Sequence, residues 1–344
     1  MSNFHKEREV NALKRLDEIT KELPTLCRRY FLGIAQTTSP LTRLEYAYDL
    51  RTFFDFLIKE GGEFSGKQAT HIDKNDIAAI EVFHVELYMD YLARGEATSV
   101  QNTSKTIARK ISCLRAFFKY LFKRGEITAN IMQKVDSPKI REKPITRLDG
   151  GEVSRLLDVA SSGHGLTEGQ KRFNKATGLR DETIIVFFLS TGLRISELVG
   201  LNVGDIDLER GSFRVIRKGG DEVILYMPEE LKNQLALFFG GAFESIDKAE
   251  PLFMSLQNKR ISVRAVQDLV KKYARLAAPL KTISPHKLRS TFGTNLYRAT
   301  RDIYIVADVL GHRDVNTTKK HYAAISHDVR KEAAEKVKIL DDSE

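Results

Sequence analysis

The stretch IDLERGSFRVIRKGGDEVILYMP, Ile206 to Pro228, is where the chain changes its hydrophobic period. Phe213 and Val215 alternate with Arg214 and Ile216, a Gly219–Gly220 step follows, and Val223 and Leu225 then alternate with Ile224 and Tyr226. Successive side chains of a strand point to opposite faces, so alternation on both sides of a glycine pair predicts a β-hairpin. A further short strand is expected at Ile206–Leu208. Lys218 falls at the hairpin tip, where the ordinary place of a lysine is in solvent. On either side of this stretch the periods are helical. The expected fold class is therefore mainly α with one small antiparallel sheet, an α+β arrangement.

Upstream, Leu44, Ala47, Tyr48, Phe54, Leu57 and Ile58 recur at helical spacing within Leu41–Lys59. A second helix is expected over Val82–Ala93, ended by Arg94–Gly95. A third spans Thr103–Lys123, where Ile107, Ile111, Leu114, Phe118 and Leu121 form one apolar stripe. Between Ala97 and Gly125 there are seven Lys or Arg and no Asp or Glu. A solvated helix face normally mixes both signs. An unopposed set that includes Lys105, Arg109 and Lys110 suits a surface laid on phosphates or into a major groove.

A chain of 344 residues fits two domains better than one. Met132–Thr146 carries two prolines among basic residues and has no apolar period, so it reads as an exposed linker. The division expected is a helical domain over 1–137, a linker over 138–147 and a second domain over 148–344. The second domain opens with the helical EVSRLLDVA, continues through a polar, glycine-containing loop at Ser162–Leu179, and reaches an apolar helix over Glu182–Ser190.

The formal net charge is +9, which favours a polyanionic partner. Residues 1–144 carry 24 basic and 19 acidic side chains, and residues 145–344 carry 31 and 27, so both halves share the excess. That distribution suits two domains gripping one ligand. Cys27 and Cys113 form no CxxC or Cys/His cluster, which argues against a zinc site or a disulfide framework, and Cys113 reads as a buried small hydrophobe. The amino-terminal residues lack the apolar core of a signal peptide, and no run has the length of a membrane span, so a cytoplasmic protein is expected. There is no GxxxxGK[ST], GxGxxG or GxSxG motif. No nucleotide cofactor and no metal is expected.

Several cationic and imidazole groups stand at turns and helix ends. Arg194, in TGLRISEL, lies one helical step from Glu197 and alone reads as an ion pair. His286 and Arg289, in SPHKLRSTFGTNL, share one helical face. His312 follows Gly311, a candidate helix C-cap. Tyr322 follows Thr317–Thr318 near a helix start, and its surroundings suit a packing residue as well as a nucleophile.

The order of these pieces resembles the tyrosine recombinase and phage integrase family, in the style of its Xer group. TGLRISEL matches the motif of the first arginine, strand–KGG–strand that of the lysine, HKLR the His-x-x-Arg box, LGH the second histidine, and HY the tyrosine. These motifs spread over about 130 residues. His312 and Tyr322 lie ten apart, one more than in many relatives, and Ser162–Leu179 looks longer than in compact ones.

The resemblance implies a helical core-binding domain and a catalytic domain that close around double-stranded DNA as a clamp. It implies a site-specific recombinase that cleaves through a 3′-phosphotyrosyl intermediate, without metal or ATP. Tyr322 would be the nucleophile and His286 would assist its deprotonation. Arg194, Arg289 and His312 would hold the phosphate oxygens, and Lys218 would protonate the leaving 5′ oxygen. Lys105, Arg109 and Lys110 would lie on the helix entering the major groove, with Arg264 on its counterpart in the second domain. The implied partners are an inverted-repeat site and further copies of the chain, a dimer per site and a tetramer in the synapse. A second recombinase or an accessory factor is left open. The tail, with Val329, Ala333, Val337 and Leu340 on one stripe, would dock on a neighbouring protomer or on its own domain. Two other readings share these residues, a type IB topoisomerase-like relaxing enzyme and a non-catalytic DNA-binding relative.

Overall fold

The computed structural model describes residues 3–95, 101–140, 146–217, 219–312, 314, 315 and 318. The chain divides into two compact units, one within Asn3–Glu142 and the other from Lys143 onward.

The first unit is helical: α1 Asn3–Thr20, α2 Thr25–Gly33, α3 Pro40–Glu60, α4 Lys74–Ala79, α5 Val82–Arg94 and α6 Ser104–Lys123. Helix α3 begins where Ser39 Oγ accepts from the Thr42 amide and Pro40 supplies a preset φ. Helix α6 begins at the Thr103 cap. Its stripe of Ile107, Ile111, Leu114 and Phe118 is buried against an aromatic core that includes Tyr30, Phe53, Phe54 and Phe117. Cys27 and Cys113 are both free and buried there, and burial pushes both thiols up.

The linker reading fails at its first residues. Met132 lies in a short 3-10 turn, and Met132 and Val135 are 2% and 5% exposed within the first core. Two isolated apolar side chains gave no period to read, yet each fills a pocket beside α6.

The second unit holds α7 Gly150–Ser162, α8 Glu168–Thr191, α9 Ile195–Gly200, strands β1 Ile206–Asp207, β2 Ser212–Ile216 and β3 Glu222–Tyr226, then α10 Glu229–Phe239, α11 Val263–Ala277, α12 Pro285–Thr300 and α13 Ile303–Leu310. The strands form one antiparallel sheet in sequence order, with Phe213 opposite Leu225 and Val215 opposite Val223. Phe213 and Val215 are buried, and the Phe213 ring meets Phe187 of α8 edge-on at 5.1 Å. The mainly α fold with one small sheet is thus the observed one.

Helix α8 packs against α7, α10 and α12. It also corrects the expected loop at Ser162–Leu179, because helix begins at Glu168. Thr167 and Gln170 form a capping box there. The inward face between 168 and 181 is polar, so no apolar period betrayed it. Asn174 donates to the Tyr273 hydroxyl (3.0 Å), which donates to Asp181 (2.8 Å), and Asp181 also receives Arg180 and Lys272. A buried carboxylate satisfied by several donors is tolerated in a core.

The α8 terminus fixes the region of interest. Gly192 caps it at φ +63°, and a Cβ there would collide with the Phe292 ring and approach Leu310 Cδ2 to 2.8 Å. Gly192→Ala is expected to destabilise the fold by roughly 2–5 kcal/mol, combining left-handed strain with overpacking. A denaturant titration that left stability unchanged would contradict this tight packing. No described helix is long and apolar enough to cross a membrane.

Candidate active site

The C-terminal end of α13 organises the site. The last carbonyls of a helix have no partner within it and carry the negative end of its dipole. Here three arginines from three distant parts of the second unit supply the missing donors. Arg217, at the end of β2, donates to Asp308 O (3.0 Å) and Val309 O (2.8 Å). Arg289, from α12, donates to Leu310 O, and Arg194, the N-cap of α9, donates to Gly311 O at 2.7 Å. Four consecutive carbonyls are thereby held by guanidiniums. Gly311 turns the chain at φ +63°, and a Cβ there would strike the Arg217 guanidinium.

Arg289 is 5% exposed and reaches across with its other arm to Gly192 O at 2.6 Å. It therefore ties the end of α8 to the end of α13. Arg194 pairs with buried Glu197, whose carboxylate accepts from the guanidinium at 2.7 Å and from the Arg194 backbone N–H at 2.8 Å. The ion pair read as the ordinary role of Arg194 is real, and it aims the guanidinium. A guanidinium carries five N–H donors, and these side-chain bonds use two of them. The Arg194 side chain remains 31% exposed, so an edge is open to an oxyanion.

His312 follows directly. Its backbone N–H bonds Ala307 O at 2.9 Å and its Nδ1 meets the buried Thr318 hydroxyl at 2.7 Å. The turn thus carries Arg194, Arg289 and His312 to one helix end. His286 is exposed on the first turn of α12, one turn before Arg289 on the same face. Lys218 and Tyr322 lie outside the described residues.

Among the proposed DNA contacts, Lys105 is exposed. Arg109 forks onto Asp49 with both terminal nitrogens and stays 47% exposed. Lys110 is 12% exposed and bonds the same carboxylate at 2.9 Å. Arg264 is 80% exposed and pairs with Asp268 one turn on.

Four residues escaped sequence reasoning. Asp49 left a trace, a carboxylate among the apolar Leu50, Phe53 and Leu57 positions of α3, which signals a buried partner. Glu197 was visible as a partner but not as the group that aims Arg194. Asp181 fell between the expected loop, which ended at Leu179, and the expected helix, which began at Glu182. Arg217 gave no signal, since a hairpin arginine is ordinarily solvated.

A helical amino-terminal unit, a helical unit with one three-stranded sheet, and arginines converging beside a histidine define a tyrosine-type DNA recombinase. The chain belongs to the phage integrase family, whose model matches residues 146–328, and the family's N-terminal SAM-like domain matches residues 29–125. The chain is 30% identical over 318 residues to the tyrosine recombinase XerC of Syntrophus aciditrophicus, covering 90% of this chain and 94% of that one. It is 34% identical over 221 residues to XerC of Thermodesulfovibrio yellowstonii, covering 62% and 69%.

Among solved structures, the fold matches the XerH site-specific recombinase bound to palindromic difH substrate in a post-cleavage complex, with TM-score 0.63 and 18% identity over 87% of this chain and 81% of that one. It also matches a lambda integrase dimer bound to a COC′ core site, with TM-score 0.60 and 16% identity over 86% and 75%. The relaxing-enzyme and non-catalytic alternatives are not favoured by these relatives.

Proposed function

We propose that Tyr322 of this site-specific recombinase attacks a DNA phosphodiester held by Arg194, Arg289 and His312. The observation carrying this reading is the convergence of both guanidiniums and the histidine at the end of α13. The phenolic oxygen bonds to phosphorus as the P–O5′ bond breaks, giving a 3′-phosphotyrosyl link and a free 5′-hydroxyl. A free phenol has a pKa near 10, so its proton must leave during attack, and His286 accepts it. Negative charge that builds on the non-bridging oxygens is met by fixed forks of positive charge. Lys218 gives the 5′ oxygen its proton. The covalent link conserves the phosphodiester energy for rejoining.

Lys105 and Arg109 contact DNA phosphates from α6, with Lys110 behind them on Asp49, and Arg264 does so from α11. The DNA is a duplex with inverted repeats, bound by a dimer per site and a tetramer in the synapse, in the cytoplasm. An accessory factor or a second recombinase is a further partner the reading admits.

A duplex selected from a randomised pool by repeated binding to the full-length protein, then nicked beside the cleavage position, provides a trapping substrate. Peptide mapping of the trapped adduct should place the nucleotide on Tyr322, and attachment elsewhere would refute the assignment. Lys218→Ala should cleave this duplex about 10²–10⁴-fold more slowly. A 5′-phosphorothiolate at the cleavage position should restore the rate, because a thiolate leaves without a proton. Equal slowing on both substrates would remove the acid role from Lys218.

A further inference from the structure

Arg217 has no role in the mechanism above, yet it holds two parts of the site at once. Its side chain crosses from the β2–β3 turn to Asp308 O and Val309 O. Its backbone closes the turn itself. Arg217 N–H donates to Asp221 O at 2.9 Å, and Gly220 N–H donates to Arg217 O at 3.0 Å. The residues that follow, Gly219 and Gly220, have φ of +115° and +93°, so this tip is built from the residue type with the most freedom to lose. The strand leaving it offers little packing, with Ile224 63% and Tyr226 78% exposed. A tertiary anchor at Arg217 therefore limits where the tip can stand. The same helix end receives Arg289 and Arg194 on its next two carbonyls and continues into His312.

We propose that Arg217 is a positioning residue for leaving-group protonation, locking the turn that carries Lys218 in register with the phosphate-binding arginines. The proposal rests on the reading of Lys218 as the general acid. Proton transfer requires the donor within hydrogen-bond reach of the departing oxygen, and an ångström of misplacement costs about 10²-fold. A lysine on an unanchored double-glycine turn meets that requirement only part of the time. The ordinary alternative is that Arg217 merely caps α13 as a cation at a helix C-terminus. In that case its loss would disturb the arginine pocket whatever the leaving group.

The two roles separate on the nicked duplex selected above, made with an ordinary phosphate and with a 5′-phosphorothiolate. With phosphate, the P–O5′ bond breaks as the acid supplies a proton to oxygen. With phosphorothiolate, the P–S bond breaks and sulfur keeps the electron pair unprotonated. Arg217→Ala and Arg217→Gln should each slow single-turnover cleavage of the phosphate by about 10–100-fold. On the phosphorothiolate both should match the parent protein, with unchanged affinity in gel shifts. Arg217→Gln carries the test if the alanine variant melts below the assay temperature. Equal slowing on both substrates, or undiminished cleavage of the phosphate, would overturn the proposal. Lys218→Ala run alongside identifies the cause of a failure. If it is rescued by sulfur and the Arg217 variants are not, Arg217 alone is misassigned. If it is not rescued, the acid reading fails and the proposal falls with it.

Discussion

Tyr322→Phe should form no covalent adduct on the nicked duplex, a loss of at least about 10⁴-fold, while gel-shift affinity stays at the parent level. The change removes one oxygen and keeps the ring, so whatever packing Tyr322 provides is largely preserved. Removing a nucleophile leaves no path to the covalent intermediate, whereas the proposed DNA contacts, Lys105, Arg109 and Arg264, are untouched by the change. No other hydroxyl substitutes easily, because attack must occur in line with the leaving oxygen and next to the guanidiniums at the end of α13. An adduct of undiminished yield in the variant would exclude Tyr322 as the nucleophile. Loss of binding together with loss of adduct would instead make it a packing residue.

Arg289→Lys should reduce cleavage by about 10²–10³-fold and also lower the melting temperature. The two effects have different origins. Catalysis suffers because an ammonium is a point charge without the planar fork that spans two acceptors. Stability suffers because Arg289 is almost wholly buried and bridges Gly192 O to Leu310 O. A lysine cannot span both, and each carbonyl left unpaired in a buried place costs about 1–3 kcal/mol. For a protein of this size that corresponds to a fall of roughly 1–4 °C. Single-turnover cleavage measured well below the melting transition separates the two losses. Cleavage within about 3-fold of the parent, far short of a lost transition-state contact, would remove Arg289 from the phosphate site.

The candidate site residues were legible because their spacing is local. TGLRISEL, HKLR and LGH each place a functional group against a helix cap or within one turn, and such geometry is set by neighbours in the chain. The hairpin was legible for the same reason, since a period of two interrupted by two glycines has few other realisations. Helices α3, α5 and α6 were legible from their apolar stripes. Helix α8 was misread over its first half because Asn174, Thr177 and Asp181 face inward with polar side chains, and Asn174 and Asp181 are satisfied by Tyr273 on α11. That pairing spans about a hundred residues and has no local trace.

The sequence by itself determined the family and the fold class and named the candidate site residues, because each is encoded in short-range patterns of polarity and spacing. Only the tertiary structure decided what those groups lean on. Arg194, Arg217 and Arg289 converge on Asp308, Val309, Leu310 and Gly311 from up to 117 residues away. A helix end leaves its carbonyls unpaired wherever it occurs, but which guanidiniums answer them depends on how distant elements pack.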